Sequence, residues 1–299
     1  MFSSEDRISP APAGMEALDA PWHIGAVTLR VFDLAGMTAF YRDAIGLSLI
    51  DRGETSAVLG VGSTVLVRLV QGARQPSSPA GLFHLAILLP SRRDLADWLA
   101  HAVASGVPLE GASDHLVSEA IYLSDPEGNG IEIYRDRPRS AWPRRDGALL
   151  MATDRLDLNT LLAEAGQRAY AGVPSETRMG HVHLRVGDTT AAEAFYSDVL
   201  GLDVMVRYPG ASFLASGGYH HHVAVNVWNS RGAKPREAGD AGLESFELMA
   251  QDATAYNAMH ARFLSAGGSN SAEGPVIADP WGNRIMLTVA AARLKPLQG

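Results

Sequence analysis

Gly25–Leu47 reads GAVTLRVFDLAGMTAFYRDAIGL, and Gly180–Leu202 reads GHVHLRVGDTTAAEAFYSDVLGL. Both GAVTLRV and FYRDAIGL recur, as GHVHLRV and FYSDVLGL, at an offset of 155 positions. Ile24–Val31 has the apolar and β-branched content of a strand. Asp33 is placed to cap a helix over Leu34–Ile45, with Phe40, Tyr41 and Ala44 on one buried face and Gly46 as its C-terminal glycine. Strands are expected next at Leu49–Arg52, Ser56–Leu59 and Thr64–Leu69, which completes a βαβββ unit. After the loop Gln71–Pro79 the order begins again with a strand at Phe83–Leu89. Ser91 and Asp94 form the capping box of a helix that ends near Gly106. DPEGN at 125–129 is echoed by DPWGN at 279–283. The chain is therefore read as four βαβββ modules, at about 23–72, 81–137, 179–228 and 241–290, each of which needs a neighbour to bury its sheet face.

Composition narrows the function. The hydrophobic fraction is 46% and the charged fraction 19%, ordinary for a soluble globular protein. A formal net charge of −8 argues against a nucleic-acid or anionic-membrane partner, since both reward a basic face. No run approaches the roughly 18 apolar residues that span a bilayer, and no secretion signal opens the chain. A cytoplasmic protein acting on a small molecule is expected. Cysteine is absent, which excludes disulfides, thiol nucleophiles and thiolate metal sites. Any transition metal must be held by His, Asp or Glu.

Ser113–Tyr134, SDHLVSEAIYLSDPEGNGIEIY, carries the chemistry. An apolar strand turns at Asp125–Gly130, where Pro126 fixes one dihedral and Gly128 and Gly130 tolerate positive ones. On the returning strand Ile131 and Ile133 share one face, Glu132 and Tyr134 the other. A carboxylate in so apolar a strand must be solvated, paired or bound to a metal. The spacing of His115, Tyr122, Asp125-Pro126, Gly128 and Glu132 resembles the signature of the type I extradiol ring-cleaving dioxygenases, departing from it at Ser113. The four modules resemble the vicinal oxygen chelate superfamily, and their motifs are most similar to bacterial catechol 2,3-dioxygenases of the two-domain kind. The resemblance implies an α+β fold, with modules paired into cupped mixed or antiparallel sheets and flanking helices. The expected boundaries are a flexible tail at 1–20, an N-terminal domain at 21–140, and a C-terminal domain at 177–292. A connection with a helix around Leu156–Ala165 occupies 141–176.

In that superfamily the metal ligands come from the first and last strands of a module. The second module offers His84 and Glu132 there, and the third offers His181. The first carries Ala26 at the corresponding position and the fourth Ser245 and Met286, so both are read as structural partners. His183 lies two residues on from His181, on the same face, and is the alternative third ligand. His23 is read as structural. Tyr219–His222 is read as strand, with His220 and His222 on one face. The resemblance implies that His222 is the acid–base catalyst and that His115 and Tyr122 hydrogen-bond the substrate oxygens. It also implies an Fe(II) cofactor, with Mn(II) as the alternative, and an aromatic diol and O2 as reactants. Homo-oligomerisation is left open. A glyoxalase-like isomerase or lyase and a non-catalytic protein that binds planar ligands are the other readings. Because the second and third modules hold every donor, those two are expected to pair around the site.

Overall fold

The computed structural model describes Ala17 and residues 20–289. The tail expected at 1–20 lies outside the described residues except for Ala17 and Ala20, and both of these are buried. Positions 290–292 of the expected C-terminal domain also fall outside. The first module comprises β1 (Trp22–Val31), α1 (Leu34–Phe40), β2 (Ser48–Arg52), β3 (Ser56–Val61) and β4 (Thr64–Gln71). The second comprises β5 (Gly81–Leu89), α2 (Arg92–Ala104), β6 (Gly111–Asp114), β7 (Ser118–Ser124) and β8 (Gly130–Asp136). Short strands β9 (Arg144–Arg145), β10 (Ala148–Leu149) and β11 (Asp154–Arg155) lead to α3 (Leu158–Leu162), a shorter helix than the sequence suggested. The third module follows as β12 (Arg178–Arg185), α4 (Thr189–Ala194), β13 (Asp203–Tyr208), β14 (Ala211–Ala215) and β15 (Val223–Asn226). The fourth has β16 (Gly242–Ala250), α5 (Ala253–Ser265), β17 (Ser269–Ser271), β18 (Gly274–Ala278) and β19 (Arg284–Val289).

Local chemistry accounts for the helix ends. Asp33 accepts from the N–H groups of Ala35 and Gly36 at the start of α1, and Ser91 accepts from Asp94 N–H at the start of α2. Beyond Phe40 the first helix widens into a π-helical turn, Tyr41–Ile45, and stops at Gly46 with φ 91°. Its buried stripe runs through Leu34, Met37, Tyr41 and Ile45; Phe40 and Ala44, expected on it, are only half-buried. On α2 the buried Leu95, Trp98, Leu99 and Ala102 follow helical spacing.

In every module the first strand pairs in parallel with the last, and the remaining pairings are antiparallel. The modules join across the sequence halves. Antiparallel pairing of β5 with β12 fuses the second and third into one nine-stranded sheet. Pairing of β1 with β16 fuses the first and fourth into an eight-stranded one. Each sheet takes one module from each of the halves 21–140 and 177–292, and the second and third modules pair as expected. Burial is consistent with the choice, because β5 and β12 are buried along almost their whole length and have neighbours on both edges.

The repeated motifs tie the two sheets together. Tyr41 donates to Asp125 Oδ2 at 3.1 Å, and Tyr196, its counterpart, donates to Asp279 Oδ2 at 3.0 Å. Each Asp also accepts from two backbone N–H groups of its own turn and from the Asn side chain four residues on. Gly128 and Gly282, at φ 84° and 83°, occupy the left-handed position that each turn requires. Gly130 does not share that conformation; a Cβ there would stand 2.2 Å from the Phe83 carbonyl oxygen, so close strand approach is what demands glycine. Tyr41→Phe is expected to lower stability by about 1–3 kcal/mol, because a buried carboxyl loses a donor while the ring is kept. Denaturant midpoints measured for Tyr41→Phe and Tyr196→Phe check this. Among the described residues no helix is long and apolar enough to cross a membrane.

Candidate metal centre and its cavity

The register of three adjacent strands builds the cluster. Ala86 of β5 sits opposite Glu132 of β8 on one side and His181 of β12 on the other. With only a methyl group at Ala86, the Glu132 and His181 side chains meet over it, and His84, one pleat away on the same face, completes the group. His84 Nε2 lies 3.0 Å from Glu132 Oε2, His181 Nε2 lies 3.2 Å from the same oxygen, and the two nitrogens are 3.3 Å apart. All three residues are buried. Donors about 2.1 Å from an ion, on adjacent corners of an octahedron, stand about 3 Å apart, so these separations suit one face of a six-coordinate site. Two protonated nitrogens facing each other at this distance would repel, and lone pairs directed at an ion remove that conflict.

Electrostatics fit the same use. Burial would raise the Glu132 carboxyl, but His181 and His84 outweigh it and hold the group well below the usual carboxylate range. Burial pushes His181 down to about 4 despite Glu132, which keeps the imidazole neutral and able to ligate. His181 Nδ1 is buried without a partner among the described residues.

Above the cluster opens a largely apolar cavity of about 490 Å³. His84 and Glu132 form part of its floor, with Phe83, Phe213 and Trp228 on the walls. His115 and Tyr122, both expected to hydrogen-bond the substrate oxygens, also line it, and they are bonded to each other. His115 Nδ1–H donates to the Ala152 carbonyl at 2.7 Å, so its Nε2 accepts the Tyr122 phenol proton at 2.6 Å. The Tyr122 oxygen therefore faces the cavity as an acceptor only. Burial first, and then the charge of Glu132, raise the Tyr122 phenol well above its ordinary range. His183 lines the cavity too, but its Nε2 is occupied by Asn226 at 2.9 Å and it stands outside the three-donor cluster, so the alternative third ligand is not supported.

The histidine run, expected as strand, is not one. Gly217 and Gly218, at φ 62° and 70°, turn the chain, and strand geometry resumes only at Val223. Strand alternation does not apply to His220–His222. His222, expected as the acid–base catalyst, is not among the residues lining the cavity; it accepts from Ser216 N–H and lies 3.1 Å from the Ala17 carbonyl oxygen. Burial pushes it down to about 3. His221 lines the cavity instead, its ring centroid 4.0 Å from that of His181. Its Nδ1 is engaged by His220 Nδ1 at 2.7 Å, and Asp136 holds His220 Nε2 at 2.8 Å behind it. His23, read as structural, is half-buried and among the groups whose charge bears on His222.

On the other sheet, Ser245 and Met286 line a separate cavity with the Arg68–Glu247 ion pair, 2.6 Å long, and Ala26 N–H donates to Glu247. A cross-strand ion pair stands there in the region corresponding to the donor cluster.

Comparison with known proteins finds the same family twice along the chain. The family profile described as Glyoxalase/Bleomycin resistance protein/Dioxygenase superfamily matches residues 23–133 and 178–287. A catechol-2,3-dioxygenase of Bacillus subtilis (strain 168) is 41% identical over 243 residues, covering 79% of this chain and 85% of that protein. A solved structure from Bacillus subtilis superposes with a TM-score of 0.61 at 13% identity, over 90% of this chain and 85% of the other. Glyoxalase I from Zea mays superposes with a TM-score of 0.54 at 15% identity, over 91% and 93%. At these identities the two structures speak to fold alone.

Proposed function

The chain belongs to the glyoxalase/bleomycin resistance protein/dioxygenase superfamily, and from that membership we propose that it opens the ring of a catechol-type diol beside its hydroxyl carbons, with both atoms of O2 entering the product. Its relation to the Bacillus subtilis enzyme makes it an extradiol dioxygenase-like oxidoreductase. The observation that carries the reading is the buried His84–Glu132–His181 cluster beneath an aromatic-walled cavity. These three side chains would hold Fe(II), with Mn(II) as the alternative ion, as a two-histidine, one-carboxylate face. When bound, iron supplies the one-electron chemistry between ring and dioxygen that no side chain provides.

The chain's own residues do the remaining work. The walls of Phe83, Phe213 and Trp228 flank the planar ring and exclude water from it. Tyr122, its proton committed to His115, accepts a hydrogen bond from a substrate hydroxyl. His221 replaces His222 in the proton-transfer role. With Nδ1 held by His220, its Nε2 makes no hydrogen bond among the described residues and is the nitrogen left to take a proton from the diol.

Anaerobic reconstitution with Fe(II), followed by oxygen uptake with a panel of catechols, tests the reading. Oxygen consumption and a yellow ring-opened semialdehyde are expected. Iron-replete protein that consumes no oxygen with any simple catechol would point instead to a redox-neutral isomerase or lyase.

A further inference from the structure

Asn226, fully buried at the end of β15, joins two groups whose hydrogen-bonding roles can be deduced. The backbone N–H of Trp228 reaches its Oδ1 at 3.2 Å, and since a backbone N–H only donates, that end of the amide is the carbonyl. The other end is the NH2 group, and Nδ2 stands 2.9 Å from His183 Nε2. An amide NH2 only donates, so His183 Nε2 accepts and the neutral ring carries its proton on Nδ1. That Nδ1–H meets no acceptor among the described residues, in a ring that lines the cavity with its centroid 4.9 Å from that of His84. Phe83 and Phe213 pack around the same ring at centroid distances of 4.9 and 5.8 Å, and neither can accept a conventional hydrogen bond. A donor held in such a wall costs free energy unless an acceptor arrives as water leaves.

We propose that Asn226 is a positioning residue that fixes His183 as an Nδ1–H donor, and that this donor binds an oxygen of the substrate diol. The proposal rests on the catechol reading and extends it to how the diol is oriented. Tyr122 presents only an acceptor to the cavity and His183 only a donor. Together they are complementary to a diol that keeps the proton on one oxygen and has lost it from the other. The hydroxyl donates to Tyr122, and the anionic oxygen accepts from His183.

Asn226→Asp inverts the arrangement at constant shape. The carboxylate still accepts from Trp228 N–H but offers no donor to Nε2, so the ring must place its proton there and turn a lone pair to the cavity. Imidazole ¹⁵N NMR of metal-free protein reads the tautomer without any catalytic assay. His183 is expected as the Nδ1–H form in wild type and the Nε2–H form in Asn226→Asp. In iron-loaded protein under anaerobic conditions, 4-nitrocatechol should bind roughly 10- to 100-fold more weakly to Asn226→Asp, the size of a lost hydrogen bond to a charged oxygen. His183→Phe keeps the packing, removes the donor, and decides the matter if Asn226→Asp does not fold. In both variants KM should rise by more than kcat falls, with metal content retained. An Nε2–H wild-type tautomer, or unaltered catechol binding in both variants, overturns the proposal. Failure of the catechol reading shows separately, as wild-type protein that binds no catechol, and overturns this inference with it.

Discussion

Removing His181 by substitution with Ala is expected to empty the centre as completely as removing His84, although the two residues lie in different halves of the chain. The expectation follows from the seam between β5 and β12, which sets both Nε2 atoms within 3.2 Å of one Glu132 oxygen. Neither half of the chain holds three donors by itself, and each lost donor opens the ion to water and removes a charge or dipole. Metal content measured after purification with Fe(II) should fall from about one equivalent to below about a tenth in either variant. Turnover should fall on the order of 10³-fold or more, which corresponds to only about 4 kcal/mol of barrier. A silent His181→Ala beside a depleted His84→Ala would mean that the site closes within the second module alone.

The second large effect separates two adjacent histidines. His221→Gln should retain iron, because His221 stands outside the donor cluster, and should lower turnover by about 10²–10⁴-fold, the usual range for a positioned proton-transfer group. His222→Gln should leave turnover near that of the wild type and lower stability by about 1–3 kcal/mol, through its buried contacts with Ser216 and Ala17. Steady-state kinetics, metal analysis and thermal unfolding on the two variants distinguish the roles. The reverse pattern would restore His222 as catalyst and remove His221.

The success and failure of the sequence reading have separate physical causes. Modules, helix caps and DPxGN turns were legible because each is written in local chemistry and written twice. His84, Glu132 and His181 were legible because each lies in a regular first or last strand of a module. The module resemblance then aligned those positions. The placement of His220–His222 was not legible because the resemblance was aligned on a continuous strand, and Gly217 and Gly218 adopt left-handed conformations just before them. The role of Asn226 was invisible because it depends on Trp228 N–H and His183 Nε2 meeting at one amide, and no spacing rule encodes that pairing. The pairing of the second module with the third was legible because those two hold every donor, whereas the pairing of β1 with β16 carries no donor to announce it.

The pairing of β1 with β16 also sets a timetable for synthesis. Β1 ends at Val31 and its sheet partner begins at Gly242, more than 200 residues later. At roughly 5–20 residues per second, β16 follows β1 out of the ribosome after about 10–40 s. Throughout that interval Val27, Leu29 and Val31, fully buried in the finished protein, lack the strand that covers one edge of their sheet. The strands of the donor-bearing sheet, by contrast, are all synthesised once Asn226 has emerged, before β16 begins. The nascent chain therefore holds every strand of its donor-bearing sheet while its first strand still waits for one neighbour.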